Sequence, residues 1–399
     1  MNPLKSLDDE PDTPSTVDID RAISTARRRR RLRRGAVVTG VAVVTVAASA
    51  TASLLPGSGL PQVTATNTAV PADKASPVPA PTTAVPGPAA CKLTRLPVPD
   101  GEPMALVTGA DPTGRWIAGR TYPTSGGYQA VIWRDGKVSK VEMPGDLEEA
   151  LRDVNTSGLA VGWSYSEAGP VPYAYRDGRT TKLAAAGSAN AVNDAGQIVG
   201  DDNAGHGLFW PSADAKPKRL PTPAGAKQAQ ARAIDEDGTV AGSLDLARPY
   251  LWLPDGTHRE LPMPEIDGKP AKIAQAFDIR NGWVTGMASA AGHKDRENRS
   301  SEPVYAARWD LRTGKAELVG ELQYPADAVN AHGWQVGNDA KGYAVLVTGD
   351  DVVRLPGLGR NRPDGTATIA STLSDDGRII AGQSDDKSGT IQAVIWNCR

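Results

Sequence analysis

The sequence predicts an all-β fold: a seven-bladed β-propeller of four-stranded antiparallel blades over residues 91–399, preceded by a single transmembrane helix and a Pro-rich linker. Three observations predict it. A short motif recurs seven times at a spacing of about 44 residues, each copy carries four strand signals, and the two cysteines fall where the ends of a closed ring would meet.

Each copy begins with a strand of small residues, then an Asx-x-x-Gly turn and an apolar pair ending in Gly. ANAVNDAGQIVG (189–200), ARAIDEDGTVAG (231–242), ADAVNAHGWQVG (326–337) and LRDVNTSGLAVG (151–162) show it, and the terminal glycines fall at 119, 162, 200, 242, 286, 337 and 382. An aromatic strand follows, ending at Trp133, Tyr175, Trp210, Trp252, Trp309 and Trp396, with Val347 in the sixth copy. A tight turn such as Asp135-Gly136 or Asp177-Gly178 leads to a fourth strand, which several times ends in Leu-Pro. Four short strands joined by Asx-Gly turns form one antiparallel sheet.

The turn chemistry has a mechanical reason. Asp111, Asn155, Asn193, Asp235, Asn330 and Ser374 each stand three residues before the turn Gly, where a short polar side chain can bond the turn's own backbone. The last copy stops after its third strand at Trp396-Asn397-Cys398-Arg399. Its fourth strand is expected from Cys91-Lys92-Leu93-Thr94-Arg95-Leu96-Pro97, which carries the same Leu-Pro ending. A Cys91–Cys398 disulfide would then lock the ring, contribute roughly 4–5 kcal/mol in the chain-entropy model, and require an oxidising compartment.

NDAGQIVG (193–200), DEDGTVAG (235–242) and NAHGWQVG (330–337), with the Trp strands that follow, resemble the HAF-type extracellular repeats of bacteria. The resemblance covers about 91–399 and implies a secreted or surface-attached propeller. It implies no reaction and transfers no catalytic residue. The fifth turn is one residue short (Ile279-Arg280-Asn281-Gly282), and the sixth copy lacks its Trp.

Upstream, residues 1–34 read as a cytoplasmic tail with a basic juxtamembrane segment. Seven arginines, Arg27 to Arg31 with Arg33 and Arg34, precede Gly35. Ala36 to Leu55 carry no charge, and about 20 residues at 1.5 Å each span the hydrocarbon core of a bilayer. Residues 35–55 are therefore expected to form a membrane anchor with the amino terminus inside. The alternative is a signal peptide cleaved near Ala50, since Ala48-Ser49-Ala50 is a small-x-small site. Eight prolines in 56–90 predict an extended, polyproline-like stalk.

Residues 91–399 hold 34 basic and 39 acidic groups, a balance that excludes a nucleic-acid binder. No phosphate loop, dinucleotide fingerprint, nucleophile elbow or zinc-protease motif occurs, and no cofactor or metal is expected. Four histidines in different copies do not converge. The acidic turns at 235–238 and 375–377 offer too few ligands for calcium and read as hairpins.

The A–B and C–D turns are short, while B–C and D–A segments vary, so the variable face is the candidate functional surface. Its largest feature is the insertion 288–303, with His293, Arg296 and Glu297. Arg152, Asn190, Arg232, Asp327 and Ser371 on the inner strands are expected to line the channel, either to hold an anionic ligand or to bridge blades. The expected function is a monomeric, membrane-tethered module that binds an extracellular ligand or protein, glycans included. The alternatives are a surface enzyme on carbohydrates or lactones, using carboxylates at the channel mouth, and a receptor that signals through its basic tail.

Overall fold

The structure, a computed structural model, describes residues 85–399 apart from 100–101, 125–126, 146–147, 167–168, 293–302 and 350. The expected tail, anchor and most of the stalk lie outside the described residues, as does the centre of the 288–303 insertion with His293, Arg296 and Glu297. Among the described residues no helix is long and apolar enough to cross a membrane.

Those residues form seven four-stranded antiparallel sheets and one two-stranded hairpin. The first blade runs Met104–Ala110, Trp116–Tyr122, Gln129–Arg134 and Lys137–Lys140 as strands A to D. The second to sixth blades occupy 149–182, 188–219, 229–260, 273–318 and 328–354. The seventh takes strands A to C from Thr368–Leu373, Ile379–Asp385 and Ile391–Cys398, and its strand D is Cys91–Arg95. Cys91 stands opposite Cys398 in that ladder and is disulfide-bonded to it. Beyond the bond, Ala89 and Ala90 donate to the Arg399 carbonyl.

Each innermost strand packs against the next, and the seventh against the first, so the ring is closed. The apolar core is divided accordingly. Seven buried clusters lie one at each blade–blade interface, because a sheet with two apolar faces must cover both. The small hairpin, Glu265–Ile266 with Lys269–Pro270, sits in the D–A segment between the fourth and fifth blades and has no counterpart in the repeat pattern.

The aromatic strand and the Leu-Pro ending belong together across this interface. The indoles of Trp252, Trp309 and Trp396 donate to the carbonyls of Pro221, Pro262 and Pro356 in the preceding blade at 2.8, 2.7 and 2.8 Å. Trp133 reaches Pro97 across the closure at 2.7 Å, and Trp210 reaches Ala184 at 2.9 Å. In the second blade Tyr175 holds the indole's register position opposite Ala160, yet the link passes to Tyr173, whose hydroxyl donates to the Pro144 carbonyl at 3.1 Å.

The repeat's terminal glycine answers to a bulge. In six blades strand A carries one unpaired residue just after the glycine's partner, which brings a strand A carbonyl close to the glycine. A Cβ at Gly242 would lie 1.9 Å from the Gln230 oxygen, and one at Gly382 2.1 Å from the Ile369 oxygen. In the sixth blade, whose strand A is only Ala328–Val329, Gly337 would meet nothing nearer than the Leu322 side chain at 3.0 Å.

Candidate functional site

The bulge residues of the innermost strands are Thr108, Arg152, Asn190, Arg232, Phe277 and Ser371, all half-buried beside the ring axis. Asp327 precedes strand A of the sixth blade and is exposed. Thus Arg152, Asn190, Arg232 and Ser371 do share one structural position, which the repeat alignment alone marked. Thr108 and Phe277 share it too and escaped notice, since no polar repeat joined them to the others.

Several of these side chains connect blades. Asn190 donates to Asp201 at 2.9 Å and to the Ala231 carbonyl of the fourth blade at 2.8 Å. Thr108 donates to the Leu151 carbonyl of the second blade at 2.6 Å. Arg232 faces Asp201 electrostatically.

Three carboxyls near the axis were not anticipated: Asp153, Asp201 and Asp278. Each accepts a backbone N–H from the following blade, namely Val192 at 2.9 Å, Ala231 at 2.8 Å and Val329 at 3.1 Å. Burial pushes the Asp153 carboxyl up to about 7 and the other two up to about 6, against these hydrogen bonds, which favour the charged form. Asp153 and Asp278 also repel each other, while Arg280 favours ionisation of both. Chemically the three act as staples between blades: the oxygens of Asp153 and Asp278 are engaged by backbone donors, and those of Asp201 by the Ala231 N–H and the Asn190 amide. Among the described residues no group of three or more acids, histidines or cysteines could hold a metal ion.

The A–B turns form a hydrogen-bonded annulus. As expected, Asn155, Asn193, Asn330 and Ser374 bond their own turns. The amides of the three asparagines also reach onward. Asn155 donates to the Asn193 carbonyl, Asn193 to the Asp235 carbonyl and Asn330 to the Ser374 carbonyl, each in the next blade. Asp235 accepts the Glu236 N–H of its own turn at 2.9 Å and also reaches the next blade, where its carboxylate accepts the Asn281 and Gly282 N–H groups at 2.9 and 2.8 Å.

Above this annulus Arg280 of the fifth blade spans to two others. Its guanidinium bonds Glu236 of the fourth blade at 2.5 Å and Asp375 of the seventh at 2.6 and 3.0 Å. The acidic turns that invited a calcium reading therefore converge on an arginine. The shortened fifth turn was the one local sign, because it leaves Arg280 as the last residue of strand A, paired with Trp283 beside a two-residue turn.

The loop-bearing side is built differently. The D–A segment 355–367 divides two clefts between the sixth and seventh blades. One of about 620 Å³ is lined by Arg360, Arg362, Asp385, Asp386 and Lys387, and the other, of about 200 Å³, by Tyr343, Arg354 and Asn361. Arg362 pairs with Asp385 at 3.4 Å, and Arg354 pairs with Asp339 at 3.5 Å while lying over the Tyr343 ring. Arg360 and Lys387 make no ion pair among the described residues. His206 bonds Asp202, His258 bonds Tyr250 and His332 lies against Trp334, so these three histidines stay apart.

The chain matches no family model and no curated protein. Among solved structures it is similar to YCF48 bound to a D1 peptide, at 12% identity and TM-score 0.45 over 78% of this chain and 99% of that one. It is similar to an oligogalacturonate lyase in complex with manganese, at 14% and 0.46 over 77% and 93%. The RRP9 WD40 repeats are similar at 11% and 0.47 over 79% and 99%. These likenesses are to the fold alone.

Proposed function

We propose that the chain is a membrane-tethered, extracytoplasmic interaction module whose B–C and D–A loops meet a ligand or protein partner at a bacterial cell surface. The observation that carries this is the division between the two faces. The turn face is occupied by its own hydrogen-bonded annulus and spanned by Arg280, whereas the long segments and both clefts lie on the other. Loops on a rigid scaffold are where recognition concentrates. The Cys91–Cys398 bond supports an oxidising location. The arginine run before an uncharged 20-residue segment, and the resemblance to HAF-type repeats, support the tether and the surface.

A glycan, metabolite and protein binding screen tests the reading. Ligands found should be lost on deleting 288–303 or on combining Arg360→Ala with Lys387→Ala. They should be kept in the turn-face variant Thr156→Ala. Binding lost only from turn-face changes would reverse the assignment. Protection of the propeller from protease added outside intact cells would remove the topology.

A further inference from the structure

The outermost strands of the seven blades are not alike in charge. Four neighbours in the ring, CKLTR of the seventh blade, KVSK of the first, RTTK of the second and KR of the third, carry two basic residues each and no acid. The remaining three, HRE, KAEL and DVVR, each carry one arginine or lysine and one acid. All eight basic side chains of the first group are exposed.

Register makes the pattern sharper. Arg95, Lys140, Lys182 and Arg219 stand opposite Val394, Val131, Tyr173 and Leu208, each two residues before the indole position of its own blade. They therefore occupy one rung in successive blades, and Arg354, opposite Val345, continues it into the sixth. Glu260 and Leu318 end it in the fourth and fifth. Arg95, Lys140 and Arg219 have carboxylate neighbours in Asp386, Glu102 and Asp202. Lys92, Lys137, Arg179, Lys182 and Lys218 have no ion pair among the described residues. The nearby acids Asp135 and Asp177 sit in C–D turns and are already paired with Arg115 and Arg176.

Lysines on edge strands also discourage sheet-to-sheet aggregation. That role needs charge on every outer strand, and the mixed strands supply it; it does not call for one sign on four neighbours. The chain from 91 to 399 is net acidic, so the one-sided arc is not a by-product of composition.

We propose that this basic arc is a docking surface for a flexible polyanion, such as a sulfated or carboxylated polysaccharide. The arc follows the convex rim over four of the seven blades. A flat anionic bilayer would touch such a curve at a blade or two, whereas a flexible chain can follow the whole rung and release counterions along it. The proposal goes beyond the reading above by adding a second surface and naming its partner class. It lies on the rim, apart from the loop-bearing face.

The test uses the full chain in neutral detergent, with immobilised dextran sulfate as probe and anionic phosphatidylglycerol vesicles as the flat alternative. The polymer should bind, with affinity falling steeply as salt rises. Combining Lys137→Glu, Arg179→Glu, Lys182→Glu and Lys218→Glu should weaken it by about tenfold or more. Arg259→Glu with Lys315→Glu, on the mixed strands, should change it less than about twofold. The milder set with Gln in place of Glu should fall in between, with thermal unfolding unchanged, which separates binding from misfolding. No binding, equal losses in both sets, or preference for the vesicles would overturn the proposal. Polymer binding to the arc, with no ligand found that depends on the loop face, would instead count against the earlier reading alone.

Discussion

Replacing both Cys91 and Cys398 by alanine opens the covalent ring while leaving the ladder that runs from Cys91↔Cys398 to Arg95↔Val394. The bond closes a loop of 307 positions, so in the chain-entropy model its removal frees the unfolded chain by about 5–6 kcal/mol. The folded state loses little by comparison. Leu93 still packs against the seventh-blade cluster and Leu96 still enters the interface with the first blade, where it is 6% exposed. The change therefore acts mainly on the unfolded ensemble. With a urea slope of about 3 kcal/mol/M, the midpoint should fall by about 1–2 M. Urea unfolding of the propeller, followed by tryptophan fluorescence, measures it, and mass spectrometry verifies the bond beforehand. Reducing the unaltered protein should reproduce the shift without the lost sulfur packing. Midpoints that coincide, with the bond shown to be present in the starting protein, would refute the claim that closure of the ring limits unfolding.

The other predictions concern the blade interfaces. Trp309→Phe deletes the donor to the Pro262 carbonyl inside a fully buried site, and should cost about 2–4 kcal/mol by chemical denaturation; a neutral result would deny the link a role. Gly242→Ala puts a methyl 1.9 Å from the Gln230 oxygen and should destabilise by about 2–3 kcal/mol, whereas Gly337→Ala should cost under about 1 kcal/mol. Equal effects would contradict the bulge explanation. Asp153 and Asp278 hold their protons more tightly when folded, up to about 7 and about 6, than in the unfolded chain near 4. The folded state then binds more protons between those values, so their contribution is full below pH 4 and falls as pH rises through 6 to 7. Melting temperatures across that window should decline less steeply in Asp153→Asn, and an unaltered slope would discount the shift. Arg280→Met leaves Glu236 and Asp375 facing each other without their cation and should cost about 1–3 kcal/mol, with a second change, Asp375→Asn, partly restoring stability.

Much of this architecture is legible in the order of residues, because a blade is assembled from contacts close along the chain. Hairpins declare themselves through Asp135-Gly136 or Asn193-x-x-Gly196, whose side chains and positive φ angles satisfy turns a few residues long. The missing strand and the two cysteines likewise revealed where the ring closes. Motifs such as Leu-Pro and the terminal Gly were visible as repeats, but their reasons were not.

Those reasons lie between blades. The Trp309 indole and the Pro262 carbonyl are 47 positions apart, and Arg280 and Asp375 are 95 apart. No local period relates such residues. The transfer of the indole's role to Tyr173, the conversion of two acidic turns into a clasp for Arg280, and the stapling by Asp153, Asp201 and Asp278 all depend on how neighbouring sheets are rotated about the axis. Strand and turn choice follows from near-neighbour sterics and hydrogen bonding, which the sequence alone carries. Which polar groups meet across the ring is a property of closure, and only the assembled tertiary structure decides it.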